Sequence, residues 1–69
     1  MHRFLIVIEK AENNYSAYCP DLPGCVATGT TREEAENNMH GAVKMHIEGI
    51  IEDNLPIPQS QSIAEYVAV

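Results

Sequence analysis

The sequence predicts an α+β domain of order β-β-β-α-β, a four-stranded sheet with one helix on one of its faces. Three observations carry that expectation. The run "FLIVI" near the start is apolar on both parities, as in a central strand covered on both sides. The stretch "TREE" is a helix-start signature, and apolar residues follow it at helical spacing. Between them, "PDLPG" sets two prolines and a glycine within five residues, which no regular ladder tolerates.

The elements follow in order. "RFLIVIEKA" predicts a strand over roughly residues 2 to 10, with Phe4, Ile6 and Ile8 on one face and Leu5 and Val7 on the other. "ENN" makes a turn, because asparagine tolerates turn conformations. "YSAYC" alternates and reads as the second strand of a β-hairpin, and after the "PDLPG" break "CVATG" resumes as a short third strand. Thr31 then opens the helix. Its hydroxyl is set to accept from the Glu34 amide, and the Glu34 carboxylate is expected to reach back to the Thr31 amide. Glu33, Glu34 and Glu36 suit the positive end of the helix dipole. Ala35, Met39, Ala42, Val43, Ile47 and Ile50 form one apolar stripe, so the helix is expected to run to about residue 53. "NLPIP" stops it, since residues before proline avoid the helical region. "SQS" is a loop, and "IAEYVAV" reads as the last strand.

At 69 residues the chain is a single domain, 1–69. A domain of this size buries only ~60% of the surface its unfolded chain exposes, so it gains from a disulfide, a metal or a partner subunit. One helix covers one face of the sheet and leaves the other in need of a partner. A homo-oligomer, dimer or tetramer, is therefore expected. Ten acids against four bases give a net charge of −6. That argues against direct nucleic-acid binding and for a basic partner. No basic stretch precedes "FLIVI", and the run is far too short to span a membrane. The expected location is cytoplasmic.

Several residues invite a chemical reading. Cys19 and Cys25 flank the "PDLPG" turn at a spacing that permits a disulfide, but in a reducing compartment free packed thiols are the simpler reading. A zinc site needs about four ligands, and the helix offers only His40 and His46, so no metal or cofactor is expected. A two-metal nuclease needs several convergent carboxylates. Turn chemistry accounts for Asp21, and capping with the dipole accounts for Glu33, Glu34 and Glu36, so no catalytic residue is assigned. His46 falls in the apolar stripe and reads as a core-edge histidine, with an interface or ligand role as the alternative. His40 points away from the stripe, and His2 is uninformative. "PDLPG" itself has two equal readings. It is a stiff connector, or a recognition loop with Leu22 held between prolines as an apolar knob.

The stretch "YCPDLPGCVATGTTREEAENN", with "FLIVIEKAENNYSAY" before it and "EDNLPIP" after the helix, resembles the HicB family of bacterial antitoxins over nearly the whole chain. The resemblance implies a partial ribonuclease-H-like sheet with one main helix, with the last strand beside the first. It also implies a partner, a small basic HicA-like toxin that cleaves messenger RNA and whose active site the antitoxin covers. Many members carry a further DNA-binding domain. This sequence stops at Val69 without one, so promoter binding is not expected. The implied function is neutralisation of a ribonuclease toxin in a type II toxin–antitoxin system, with no enzymatic activity of its own. The competing reading is an orphan oligomeric module that binds a small ligand or another protein. Acidic surface would steer the partner and apolar anchors would supply affinity. The chemistry nominates Tyr15, Tyr18, Leu22 and Tyr66 as anchors and Asp21, Glu33 and Glu36 as a charged rim.

Overall fold

The first two alternating runs fold as an antiparallel hairpin in the computed structural model, which describes residues 2–69. Strand β1 (Val7–Lys10) pairs with β2 (Tyr15–Tyr18) in the register Val7 to Tyr18 and Lys10 to Tyr15. The Ala11 N–H donates to the Asn14 carbonyl at 2.8 Å and closes the hairpin mouth. Strand β3 (Val26–Gly29) pairs antiparallel on the other side of β2, giving the order β1-β2-β3. Because side chains alternate along a strand, Ile8, Ala17 and Ala27 share one face, and Val7, Tyr18 and Val26 share the other.

Helix α1 (Arg32–Glu52) lies across the first of these faces. Its buried stripe matches the sequence periodicity: Ala35 and Met39 are enclosed, and Ala42, Val43 and Ile47 pack partly against the core. The core is completed by Ala17, Cys19, Leu22 and Cys25, with Phe4, Ile6, Ile8 and Ala27 around it. Val7, Tyr18 and Val26 lie on the face that the helix does not cover, where Val26 is 65% exposed.

The helix start differs from the expected capping box in one bond. Thr31 is the N-cap, and its Oγ1 accepts from the Glu34 N–H at 3.0 Å. The Glu34 carboxylate does not return to the Thr31 amide. It reaches one residue further, accepting from the Thr30 N–H at 3.0 Å and the Thr30 hydroxyl at 3.3 Å. Two adjacent threonines offer it a second hydroxyl there, and taking both donors of Thr30 satisfies both carboxylate oxygens.

The helix end is built by Asn54 as much as by the following proline. Asn54 adopts φ 57°. Its N–H donates to the Ile51 carbonyl and the Leu55 N–H to the Ile50 carbonyl, both at 3.0 Å. This is a Schellman closure with asparagine in the left-handed position, where glycine carries no Cβ penalty. Asn54→Gly is expected to raise stability by up to about 1 kcal/mol. Urea denaturation checks it, and a loss of stability would show that the Asn54 side chain contributes more than its backbone costs.

Two expectations of the fold need correction. The first strand is shorter than residues 2 to 10, because its ladder begins at Val7. Among the described residues the sheet has three strands, so the fourth, expected over 63–69, is not formed. Ile63, Tyr66, Val67 and Val69 are all exposed. The reason is physical: an apolar alternating run becomes a strand only when a neighbour takes its backbone hydrogen bonds. Among the described residues, no backbone bond of that kind reaches residues 63–69.

Candidate partner-binding site

The turn between β2 and β3 is held by three backbone hydrogen bonds. The pairing of β2 with β3 continues one step past Tyr18 and Val26, so Cys19 and Cys25 stand opposite each other. The Cys19 N–H donates to the Cys25 carbonyl at 3.2 Å. Inside the loop, the Leu22 N–H donates to Cys19 and the Cys25 N–H to Leu22, each at 3.1 Å. Gly24 adopts φ +82°, a conformation that favours glycine. Both cysteines are free, buried thiols. Burial pushes the Cys25 thiol up, and the neighbouring Cys19 adds to the shift, so this thiol is a poor nucleophile.

These bonds aim Leu22 inward. It is 0% exposed and packs in the core cluster with Met39 and both cysteines. The nominated apolar knob is therefore a core side chain, and the turn is folded around it rather than offering it.

Asp21, next to it, points out toward the C-terminal segment. Its Oδ2 accepts from the Gln61 and Ser62 N–H groups and its Oδ1 from the Ser62 hydroxyl, all at 3.0 Å. The Ser62 N–H holds the carboxyl below its ordinary value, helped by the Ser62 hydroxyl and the Gln61 N–H against a smaller opposing effect of burial. A carboxylate depressed by folding stabilises the fold above its unfolded value of about 3.9. That stabilisation is lost as pH falls through the lower folded value. Protonation of Asp21 is therefore expected to free residues 61 and 62 only as pH falls through its lowered folded value, beneath the ordinary carboxylate value of about 3.9. Amide exchange at Gln61 and Ser62 should quicken there, and Asp21→Asn should abolish the pH response. Equal behaviour of wild type and variant would exclude the clamp.

The remaining nominated residues are dispersed. Tyr18 and Tyr15 stand three apart on one strand and so face opposite sides of the sheet; Tyr15 lies on the helix side and is half-buried, Tyr18 on the open side. Tyr66 is fully exposed on the C-terminal segment. Glu33 is exposed in the first helical turn and Glu36 is half-buried. Glu33 and Glu34, with Thr31, Asn37 and Asn38, line a shallow acidic depression at the helix start. The structure thus offers three surfaces, an open sheet face, an acidic helix start and an apolar arm, and does not gather the nominated residues into one patch.

Sequence reasoning did not single out a fourth feature. An open groove of about 370 Å³ runs between the N-terminal segment and α1, with Phe4, Ile6, Val43 and Ile47 at its floor and His2, His40, Lys44 and Glu48 around it. Its signal was available in the shared helix-facing parity of Phe4 and Ile6. His46, expected at the core edge, is half-buried, and His40 is exposed. Among the described residues, no three His, Cys, Asp or Glu side chains come together to hold a metal. Among the same residues, no helix is long and apolar enough to cross a membrane.

Comparison with known proteins adds the family. Residues 4–69 match the model of a HicB-like antitoxin of bacterial toxin–antitoxin systems. The chain is 42% identical over 62 residues to an uncharacterized 14.9 kDa protein of the rep-hol intergenic region of Haemophilus phage HP1. That match covers 90% of this chain but 47% of the phage protein, so the chain spans about half of that relative's length. It is 31% identical over 70 residues to a UPF0150 protein of Synechocystis, covering all of this chain and 89% of that one. A UPF0150 protein of Helicobacter pylori is 43% identical over 49 residues, 71% of this chain and 68% of its own. No solved structure matches the chain.

Proposed function

Because this chain belongs to the HicB-like antitoxin family of bacterial toxin–antitoxin systems, we propose that it neutralises a small basic HicA-like ribonuclease by covering that toxin's active site. The observation that supports the reading is the family match over residues 4–69, nearly the whole domain. The charge agrees with it: a chain of net −6 suits a basic RNA-cleaving partner. In this reading the protein is cytoplasmic and works by occlusion, with no catalysis of its own. The reading includes the partial ribonuclease-H-like sheet, whose fourth strand would come from residues 63–69. Tyr18 and Tyr66 remain the apolar contacts, and Glu33 and Glu36 the steering charges. Asp21 acts indirectly, by fixing the base of the segment that carries Tyr66.

One observation favours the alternative of an orphan oligomeric module. The exposed apolar residues lie on the sheet face (Tyr18, Val26), the later half of α1 (Met45, Ile51) and the segment after it, away from the acidic helix start, so they answer a need for association that is not itself electrostatic.

Co-expression with a small basic HicA-like ribonuclease, taken from an adjacent reading frame where one encodes it, separates the two. The antitoxin reading expects suppressed messenger-RNA cleavage, restored growth and a co-purifying complex. Growth arrest that persists with both chains soluble would sink it.

A further inference from the structure

We propose that residues 63–69 of one chain add as a strand to the outer edge of residues 3–10 in a second copy, and that two copies exchange these arms reciprocally. The sheet has two outer edges, and they are not equivalent. The β3 edge is covered at its C-terminal end by the helix start: the Asn38 side-chain amide donates to the Thr28 carbonyl at 2.8 Å, and Gly29 lies against the backbone of Glu34 and Ala35. The β1 edge is open. The Ala11 to Asn14 bond at the hairpin mouth sets the alternation of the antiparallel ladder. Val7 and Glu9 therefore turn their backbone groups toward β2, and Ile8 and Lys10 turn theirs outward. Among the described residues, no backbone hydrogen bond outside the ladder engages residues 3–6, although Phe4, Leu5 and Ile6 are half-buried and apolar.

The same chain carries a segment that fits this edge. "IAEYVAV" is β-branched or aromatic at Ile63, Tyr66, Val67 and Val69, the composition of a strand, yet Ile63 is 84% and Val67 81% exposed. Its base is held by the Asp21 clamp beside the edge, where Arg3, Phe4, Leu5, Ile6, Ser60 and Ser62 line an open groove of about 550 Å³. The arm continues past this groove and leaves it open. Charge also matches. Residues 3–10 carry Arg3 and Lys10 against the single acid Glu9, and residues 63–69 carry Glu65 and no base, so a second copy meets a net opposite charge here despite the net −6. A two-fold exchange satisfies both unpartnered segments of both chains at once, doubling the contact that each arm makes. The inference does not depend on the toxin reading.

The test uses the chain alone, with no toxin present. Light scattering after size exclusion is expected to give twice the mass of one chain. Val67→Pro in the full chain removes an N–H from the middle of the arm and should weaken the dimer by at least about 100-fold while the helical circular dichroism is unchanged. Amide exchange should slow at Phe4–Ile6 and Ala64–Val67 in the dimer and be fast at both in the variant. In a mixture of differently labelled chains, nuclear Overhauser contacts between residues 63–69 and 3–8 should be intermolecular. A monomeric wild type, a Val67→Pro dimer, or contacts found only within one chain would each overturn the proposal. An arm that becomes protected only on adding a basic protein would assign the edge to that partner and overturn it as well.

Discussion

Replacing Leu22 by alanine is expected to cost about 2–5 kcal/mol, the range for emptying a fully buried leucine site. For a domain of this size that lowers the melting temperature by at least about 10 °C. The cost should fall in the upper part of the range because the site cannot collapse. Leu22 is 0% exposed, and its own backbone is pinned from both sides, donating to Cys19 and accepting from Cys25. Its neighbours are the opposed cysteines and Met39, held by a strand ladder and a helix in turn. A 69-residue fold of ordinary stability holds roughly 3–10 kcal/mol in all, so this one side chain decides whether the domain is folded at growth temperature. Val26→Ala is the control, an apolar truncation on the open sheet face, and should change stability by less than about 0.5 kcal/mol in the monomer. Urea denaturation of both proteins decides it. A Leu22→Ala loss as small as that of Val26→Ala would mean that the turn presents Leu22 to a partner.

What was legible in the sequence is what local chemistry determines. "ENN" closes the hairpin because asparagine needs no tertiary help to turn. "TREE" caps the helix because its donors and acceptors lie within four residues of each other. The stripe from Ala35 to Ile47 follows from the 3.6-residue period alone. The opposite facing of Tyr15 and Tyr18 was equally available from the period of two. The misreadings are tertiary. Prolines at 20 and 23 show that the chain bends, but not to which side the residue between them points. Leu22 faces inward, where it packs with the cysteine pair and Met39, residues that only the tertiary fold brings together. Asp21 finds its donors 40 and 41 residues away, and nothing in either stretch announces the other. The last strand is the plainest case. Its propensity is real, but a strand is a relation between two segments, and among the described residues no second segment pairs with it. Asn54 is the reverse case: the proline two residues later signals the helix end, but the left-handed closure ahead of it is a backbone conformation that asparagine permits without announcing.

Gly29→Ala is expected to destabilise the fold by about 1–3 kcal/mol, the cost of overpacking a close contact. The sign is the informative part. Alanine in place of a strand glycine normally helps by about 0.5–1 kcal/mol, because the unfolded chain loses freedom. At position 29 a Cβ would press on the amide nitrogen of Ala35 and come within 2.8 Å of the Glu34 carbonyl carbon and 2.9 Å of the Ala35 Cα. These are backbone atoms, so no rotamer can move them aside. They are also fixed, since the Glu34 N–H is bound to the Thr31 hydroxyl and the Ala35 N–H to the Thr31 carbonyl, each at 3.0 Å. Relief therefore requires the whole helix start to shift off the sheet, and the Asn38 bond to Thr28 would break with it. Gly24 separates this steric account from a conformational one. It has φ +82° but no atom within 4 Å of an added Cβ, so Gly24→Ala meets backbone strain without a clash. The two variants should lose stability by different routes. In Gly29→Ala, amide exchange quickens in the first turn of the helix and at Asn38, while in Gly24→Ala it quickens around the cysteine turn. A Gly29→Ala protein as stable as wild type, with its helix start still protected, would show that strand and helix do not meet as closely as Gly29 permits.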